Sequence, residues 1–312
     1  MQGLLRGGRR LGEGFAAAFL TLLGVFLLVR LLPGDPADIR LAASGVLADP
    51  ATLAALRADL ALDLPLWSQF LAWLGGLATL DAGRSLANDR AVLGEIGARL
   101  PWSLAVGLAG LGLGVAAGVA LGFRAALRPV GPSAAASRAL SILAQALPAF
   151  AVALLAFWLL AVEWRLVRPV SGSAAERVLG PILVVALFAA GAFARITFAT
   201  LQEVRRAPWF TTALARGRRP GAALGAHGGP AVALAVLAAL VPELGWAIGG
   251  TAVAEIVFGL PGLSAFVTEA AAARDHSVLQ LYLVAVLAWI ACAHAAVEVA
   301  RRWLDPRPRP PA

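Results

Sequence analysis

Six apolar runs punctuate the chain, and the polar intervals between them are very unequal in length. The runs fall at roughly 14–32, 102–123, 139–162, 178–200, 231–252 and 277–299. Each is close to the ~20 residues a helix needs to cross the hydrocarbon core of a bilayer. The pattern predicts an all-α integral membrane protein with six transmembrane helices, organised as a single transmembrane domain over 1–312. Two short amphipathic helices are predicted inside the longest polar interval, 33–100. One is ATLAALRADLAL, with Leu53, Leu56 and Leu60 on one face; the other is Trp67–Leu77, with Phe70, Trp73 and Leu77 at the same helical spacing.

Several residues interrupt this regular picture. Pro148 breaks the third run, and Pro242 and Glu243 lie inside the fifth. In the second run Gly110, Gly114, Gly118 and Gly122 recur every fourth residue and so share one helix face. Such a face lets another helix backbone approach closely. It reads as a helix-packing seam within the subunit, with a seam that slides as the alternative. The interval 201–230, LQEVRRAPWFTTALARGRRPGAALGAHGGP, is far longer than the ~2–8 residues that usually join two helices. Its length calls for a partner outside the membrane.

Composition agrees with the membrane assignment. The chain is 60% hydrophobic and 14% charged, with mean hydropathy +0.81. Soluble domains are about half apolar and a quarter charged. A net charge of +8 and a pI near 11.4 would also fit nucleic-acid binding. However, there is no lysine, and the arginines sit at the ends of apolar runs. That is the positive-inside distribution rather than a binding stripe, so no nucleic acid is expected. The amino-terminal segment, 124–138, 201–230 and the carboxyl-terminal segment hold arginines 6, 9, 10, 124, 128, 138, 205, 206, 216, 218, 219, 301, 302, 307 and 309. The acids there are Glu13, Glu203 and Asp305. This places both termini and 201–230 in the cytoplasm, and 33–100, where acids outnumber arginines, outside. Arg6, Arg9 and Arg10 before an apolar run also describe a signal peptide. The run is too long for one, and Leu31–Asp35 is no small-residue cleavage site, so an uncleaved first span is expected.

The chemistry of bond-breaking is absent. There is no G-x-x-x-x-G-K-[ST] loop, H-E-x-x-H or G-x-S-x-G. His227, His276 and His294 are scattered, and one cysteine, Cys292, leaves no multi-cysteine metal site. No catalytic residue, metal site or cofactor is expected in this chain.

A set of ordered motifs carries a family likeness over nearly the full length. They are Leu31–Ala37 (LLPGDPA), Leu60–Ser85 (LALDLPLWSQFLAWLGGLATLDAGRS), Arg99–Leu104 (RLPWSL), Arg168–Gly172 (RPVSG), Gly249–Ser264 (GGTAVAEIVFGLPGLS), Ala273–Gln280 (ARDHSVLQ) and Leu304–Arg307 (LDPR). Together the chain resembles the permease subunits of ATP-driven, binding-protein-dependent importers of the oligopeptide, dipeptide and nickel class. The resemblance implies a type I ABC importer permease fold in the bacterial cytoplasmic (inner) membrane. It implies a second homologous permease, two ATPase subunits that hold ATP and Mg, and an extracytoplasmic solute-binding protein. It identifies 201–230 with the family's ATPase-coupling loop, matched at Trp209, Thr212, Ala213, Ala215, Arg216, Gly217 and, ten residues on, His227. Pro208, Thr211 and Leu214 depart from the family pattern, and Pro220, Gly221, Gly225, Gly228, Gly229 and Pro230 are expected to loosen its second half. Pro208 would open a short helix over Trp209–Arg216 and a left-handed Gly217 would end it. Glu255, Phe258, Pro261 and Gly262 resemble the family's external gate region, where an ordinary Pro-Gly turn is the alternative. No family residue corresponds to Glu243. An acid inside a span costs about 2.5–3.5 kcal/mol, so it is expected to face a translocation path, to pair with Arg195, or to lie at a subunit seam. A self-contained secondary transporter is the alternative function, but the matching broken halves it would show are not seen. An intramembrane enzyme lacks the residues it needs.

Overall fold

Backbone hydrogen bonds cannot be left open in lipid, so a chain of this hydropathy has to satisfy them within helices. The computed structural model describes residues 2–31, 34–45 and 49–304, with the side chains of 2–12, 15, 43 and 44 outside that description. Helices are the only extended regular elements among the described residues. Four of them are long and apolar enough to cross a membrane: α5 (Val92–Leu127), α8 (Ala174–Arg206), α10 (Pro220–Gly249), continued by the short α11 (Ala252–Val257), and α13 (His276–Leu304). A fifth crossing is formed if α6 (Pro132–Ala146) and α7 (Ala149–Phe157), with its π-helical end Trp158–Glu163, count as one span. Helix α1 (Gln2–Arg30) has a shorter apolar part, Ala16–Arg30. Six crossings are compatible with this arrangement. The third crossing departs from the single rod expected over 139–162, since its halves meet at 107°. Leu147, with φ −88° and ψ 133°, is extended, as the residue before a proline tends to be, and Pro148 supplies no N–H to continue the helix.

The described residues group into two compact units. The first comprises Met1–Arg99 and Phe266–Ala288. Its short helices are set by local chemistry. Asp35 caps α2 (Pro36–Ser44) through the Ala37 N–H, with Pro36 in the first turn, and Asp49 and Pro50 do the same for α3 (Pro50–Asp59). Leu53, Leu56 and Leu60 are the partly covered positions of α3 and its end, as their spacing predicts. In α4 (Leu66–Ala78), Phe70 is buried, with its ring 5.4 Å from Phe26 and 5.6 Å from Phe19 of α1. Two motifs nearly two hundred residues apart meet here. The buried Asp275 carboxylate accepts from Ser85 Oγ at 2.5 Å and from the Ala87 N–H at 3.3 Å, while its other oxygen caps α13 through Val278 N–H at 3.2 Å.

The second unit comprises Leu100–Ala265 and Trp289–Ala312. Its frame is the pair α5 and α8. A Cβ added at Gly110 would lie 2.6 Å from Val185 Cβ, one at Gly114 2.8 Å from the Ala186 carbonyl oxygen, and one at Gly118 2.7 Å from that of Ala190. Gly122 meets Ala194 and Thr197 in the same way. All four glycines of the predicted seam therefore touch one partner helix. Around it Phe193, Leu201 and Leu224 are fully buried. Ser173 and Glu176 close a capping box at the start of α8.

Two predictions follow from these contacts. Gly118→Val should destabilise the protein by about 1–3 kcal/mol through overpacking, seen as a lower thermal unfolding temperature in detergent. Gly112→Ala, which meets nothing within 4 Å, should leave that temperature unchanged or slightly higher. The second concerns Asp35. Burial alone would raise its pKa, but the Ala37 N–H and the Arg57 guanidinium, whose Nε lies 2.7 Å away, outweigh burial and lower it. A carboxyl with a lowered folded pKa contributes stability above the ordinary aspartate range and loses it as pH falls through the lowered value. The gap in unfolding temperature between wild type and Asp35→Asn should therefore close on acidification.

Candidate functional site

Three places in the second unit gather the chemistry-bearing side chains. The first is the turn between α8 and α10. Its centre is α9 (Pro208–Ala215), with Pro208 in the first turn and Thr212 Oγ1 bonded back to the Pro208 carbonyl at 3.1 Å. The helix closes as the sequence predicts. Gly217 N–H donates to Leu214 O at 2.9 Å and Arg218 N–H to Ala213 O at 3.1 Å, with Gly217 at φ +80°. This is the paired hydrogen bonding of a Schellman ending, and it requires the left-handed residue that glycine supplies. Phe210 is the anchor, buried against a cluster that includes Leu201, Ala223 and Leu224. Arg205 ties the end of α8 to α5 through the Ala126 carbonyl at 2.5 Å.

The long polar interval is mostly helix. Helix α8 runs on to Arg206 and α10 begins at Pro220, so only the α9 turn is left to connect them. The loosening expected from Pro220 to Pro230 is not seen, since α10 is continuous from Pro220 to Gly249. Pro220 occupies the first turn of α10, and Ala223 and Leu224 are fully buried. Gly228 lies where any Cβ would meet the Leu201 side chain. Tertiary contact here outweighs the propensity cost of ~1 kcal/mol per glycine. On the exposed side, Trp209, Thr212, Ala213, Arg216, Arg218 and His227 line one open recess of about 630 Å³. The Trp209 and His227 rings pack with their centres 4.8 Å apart and their planes tilted by 54°. Ala215 and Gly217 do not line this recess; Gly217 shapes it through the backbone. Arg218 is a member that the sequence pattern did not single out.

The second place is a buried carboxylate. Glu255, on α11, is fully buried. One oxygen accepts from Ser103 Oγ and Thr251 Oγ1, both at 2.6 Å, and the other from the Ala265 N–H at 2.9 Å. Ser103 Oγ accepts in turn from the Leu263 N–H at 2.8 Å. A Cβ at Gly262 would collide with this carboxyl group, and Gly259 turns the chain at φ +61°. Phe258 is also buried, edge-on to Phe157 at 5.4 Å and filling the space beside Gly180. Glu255 and Gly262 thus meet in one knot, Phe258 packs into a neighbouring apolar cluster, and Pro261 stays exposed. Of the Pro-Gly pair, Pro261 lies at the surface and Gly262 is buried against the Glu255 carboxyl group. Ser103 and Thr251, which hold the carboxylate, lie within the RLPWSL and GGTAVAE motifs but carry no signal of this role by themselves.

The third place is a chamber of about 410 Å³ walled by α5, α6, α7, α8 and α10. Its lining is apolar, Leu111, Val185, Phe188 and Trp246 among it, apart from Gln145, Arg195 and Glu243. Arg195 Nη1 lies 3.4 Å from Gln145 Oε1, and Gln145 Nε2 donates to the Ser141 carbonyl at 2.7 Å. Among the described residues Glu243 makes no hydrogen bond or ion pair, and Arg195 makes no ion pair. They share a chamber without pairing, so the salt bridge weighed from sequence does not form. No group of three or more histidine, cysteine or acidic residues suited to a metal ion occurs among the described residues.

Comparison with known proteins follows the same lines. The family described as "Binding-protein-dependent transport system inner membrane component" matches residues 118–310. A glutathione transport system permease protein of Pectobacterium atrosepticum is 30% identical over 84% of each chain. A probable peptide ABC transporter permease protein of Sinorhizobium fredii is 28% identical over 96% of this chain and 98% of its own. A putative peptide transport system permease protein of Brucella abortus is 30% identical over the same shares.

The knot yields a prediction. Glu255→Ala would leave two buried hydroxyls and an amide without their acceptor, at a cost of roughly 3 kcal/mol or more. The variant should unfold at a clearly lower temperature, whereas Ile256→Ala, at an exposed neighbour, should not.

Proposed function

Because the chain belongs to the family of binding-protein-dependent transport system inner membrane components, we propose that it is one of two homologous permease subunits of an ATP-driven importer for peptides or similar small solutes, nickel chelates included. As a member of that family it is a multi-pass membrane transport permease. The names of its relatives, which are peptide and glutathione permeases, support the substrate class. In this reading both termini and the α9 turn are cytoplasmic. Two separate ATPase subunits carry ATP and Mg, and this chain holds no cofactor. An extracytoplasmic binding protein delivers solute to the other side, where the Glu255, Phe258, Pro261 and Gly262 region forms the gate. The α5–α8 glycine seam is the fixed frame against which that motion takes place.

The observation that carries the reading is the α9 turn. It is a short, exposed helix held at its foot by Phe210 and Arg205, and it offers an aromatic, a hydroxyl and two guanidinium groups around one recess. Such a helix moves as a unit with α8 and α10 when pushed. Nucleotide-driven closure of the ATPases would act on it and switch access across the membrane.

Co-purification tests the assignment. The ATPase subunits should be pulled down by wild-type chain and lost with the Trp209→Ala, Gly217→Val double variant, together with ATP-dependent uptake. Retention of both in that variant would remove α9 as the coupling element. Full uptake by the purified chain alone, without ATP, would instead establish a self-contained secondary transporter.

A further inference from the structure

The chamber between α5, α8 and α10 has features that neither packing nor coupling explains. It holds one acid and one base that face the same space without meeting. Intramembrane charges are expensive and are retained where they face a cavity or a partner. Its volume of about 410 Å³ lies in the range of small-molecule sites, ~300–1,000 Å³, and such sites combine apolar walls with a few placed polar groups.

The spacing of the two charges along the helices can be read from the packing. Gly107 meets Ala247, whereas Gly110 meets Ile182 and Val185, and Gly114 meets Ala186 and Ala189. Helices α5 and α8 therefore run alongside in register, and because Gly228 near the start of α10 meets Leu201 near the end of α8, α10 runs antiparallel to both. Ala247 is level with Gly107. Glu243, one turn earlier on α10, is level with Leu111 and hence with about residue 186 of α8. Arg195 lies nine residues further along α8, which at 1.5 Å per residue is roughly 13 Å. Both residues border the cavity, so a solute that touches both must be of this order of length. Three extended residues reach about 10 Å.

Gln145 completes the arrangement. Its amide N–H is committed to the Ser141 carbonyl, which turns its oxygen toward Arg195. The arginine is thereby oriented without being neutralised. Glu243 has no such companion, so its carboxylate is open to a donor from a ligand.

We propose that this chamber is a substrate subsite for short zwitterionic peptides of about three residues, with Glu243 receiving the terminal ammonium group and Arg195, oriented by Gln145, the terminal carboxylate. This rests on the importer-permease reading and gives the permease a solute selectivity of its own. The chamber is neutral overall but dipolar, so its complement is a dipolar solute rather than a cation or an anion. The apolar stretch between the charges, with Phe188 and Trp246 on the walls, accepts the middle of such a solute with little dependence on side chain.

The test uses the complete purified complex of both permeases and ATPases, with trialanine, N-acetyl-trialanine and trialanine amide as probes, and thermal unfolding as the readout. Hydrolysis of ATP on adding loaded binding protein is measured in the same samples. Trialanine should stabilise the wild-type complex, at concentrations about tenfold lower than either blocked form, since each lost charged contact weakens binding by about that factor. Glu243→Gln should abolish the preference for the free amino terminus alone, and Arg195→Gln that for the free carboxylate alone. Ala192→Phe, which fills the chamber, should abolish the response to all three. The proposal is overturned if an ATP-hydrolysing wild-type complex shows no preference for trialanine, or if both charge variants keep it. Loss of the partner permease from the Glu243→Gln complex on size exclusion would also overturn it, by making Glu243 an interface residue. Absence of stimulated hydrolysis in the wild type would instead refute the importer reading itself.

Discussion

The contact on which the second unit depends is the backbone-to-backbone approach of α5 and α8. Four glycines at every fourth position of α5 leave no side chain between the helices, and carbonyls and Cβ atoms of α8 occupy the space. In lipid the hydrophobic effect does not hold apolar helices together, so close packing has to supply the attraction. That approach sets the register of the two helices. It also determines which side chains of α8, Val185 and Phe188 among them, face the chamber and which enter the core around Phe193 and Leu201. The chamber and the core are two consequences of one seam.

The structure treats its two interior carboxylates in opposite ways. Glu255 is surrounded by three donors from Ser103, Thr251 and Ala265, and both its oxygens are hydrogen-bonded. A satisfied network of this kind stiffens what it joins, here α5, α11 and the turn into α12 (Leu263–Ala272). Glu243 borders an open chamber and has no protein donor. Glu243 is only half-buried, and an acid within a span is retained where it faces a cavity or a partner. The two acids differ in whether the protein itself supplies their hydrogen-bond donors.

The turn at α9 was legible in advance because everything that builds it is local. Pro208 sets the first turn, Gly217 supplies the left-handed ending, and the first turns of α10 bring the His227 imidazole against the Trp209 ring. The run after it was not legible for the opposite reason. Glycines at 221, 225, 228 and 229 argue against a helix when read one at a time, yet Gly228 is what allows Leu201 to pack, and buried Ala223 and Leu224 hold the first turns of α10 in place. At Pro148 the sequence signalled an interruption, but the 107° bend depends on where α6 packs, with Ser141 bonded to the Gly191 carbonyl of α8 and Gly191 against Ala144.

The amino-acid sequence by itself determined the all-helical membrane architecture, the positions of the apolar helices, the glycine face and the α9 ending. These follow from hydropathy, from helical period and from the backbone limits of proline and glycine, all of which act within a few turns of chain. Only the tertiary structure decided that Ser85 would hold Asp275, that Ser103 and Thr251 would enclose Glu255, and that Gln145, Arg195 and Glu243 would border one chamber. Those groupings join residues up to 190 positions apart. No periodicity encodes them, because they depend on which helix faces pack together and in what register.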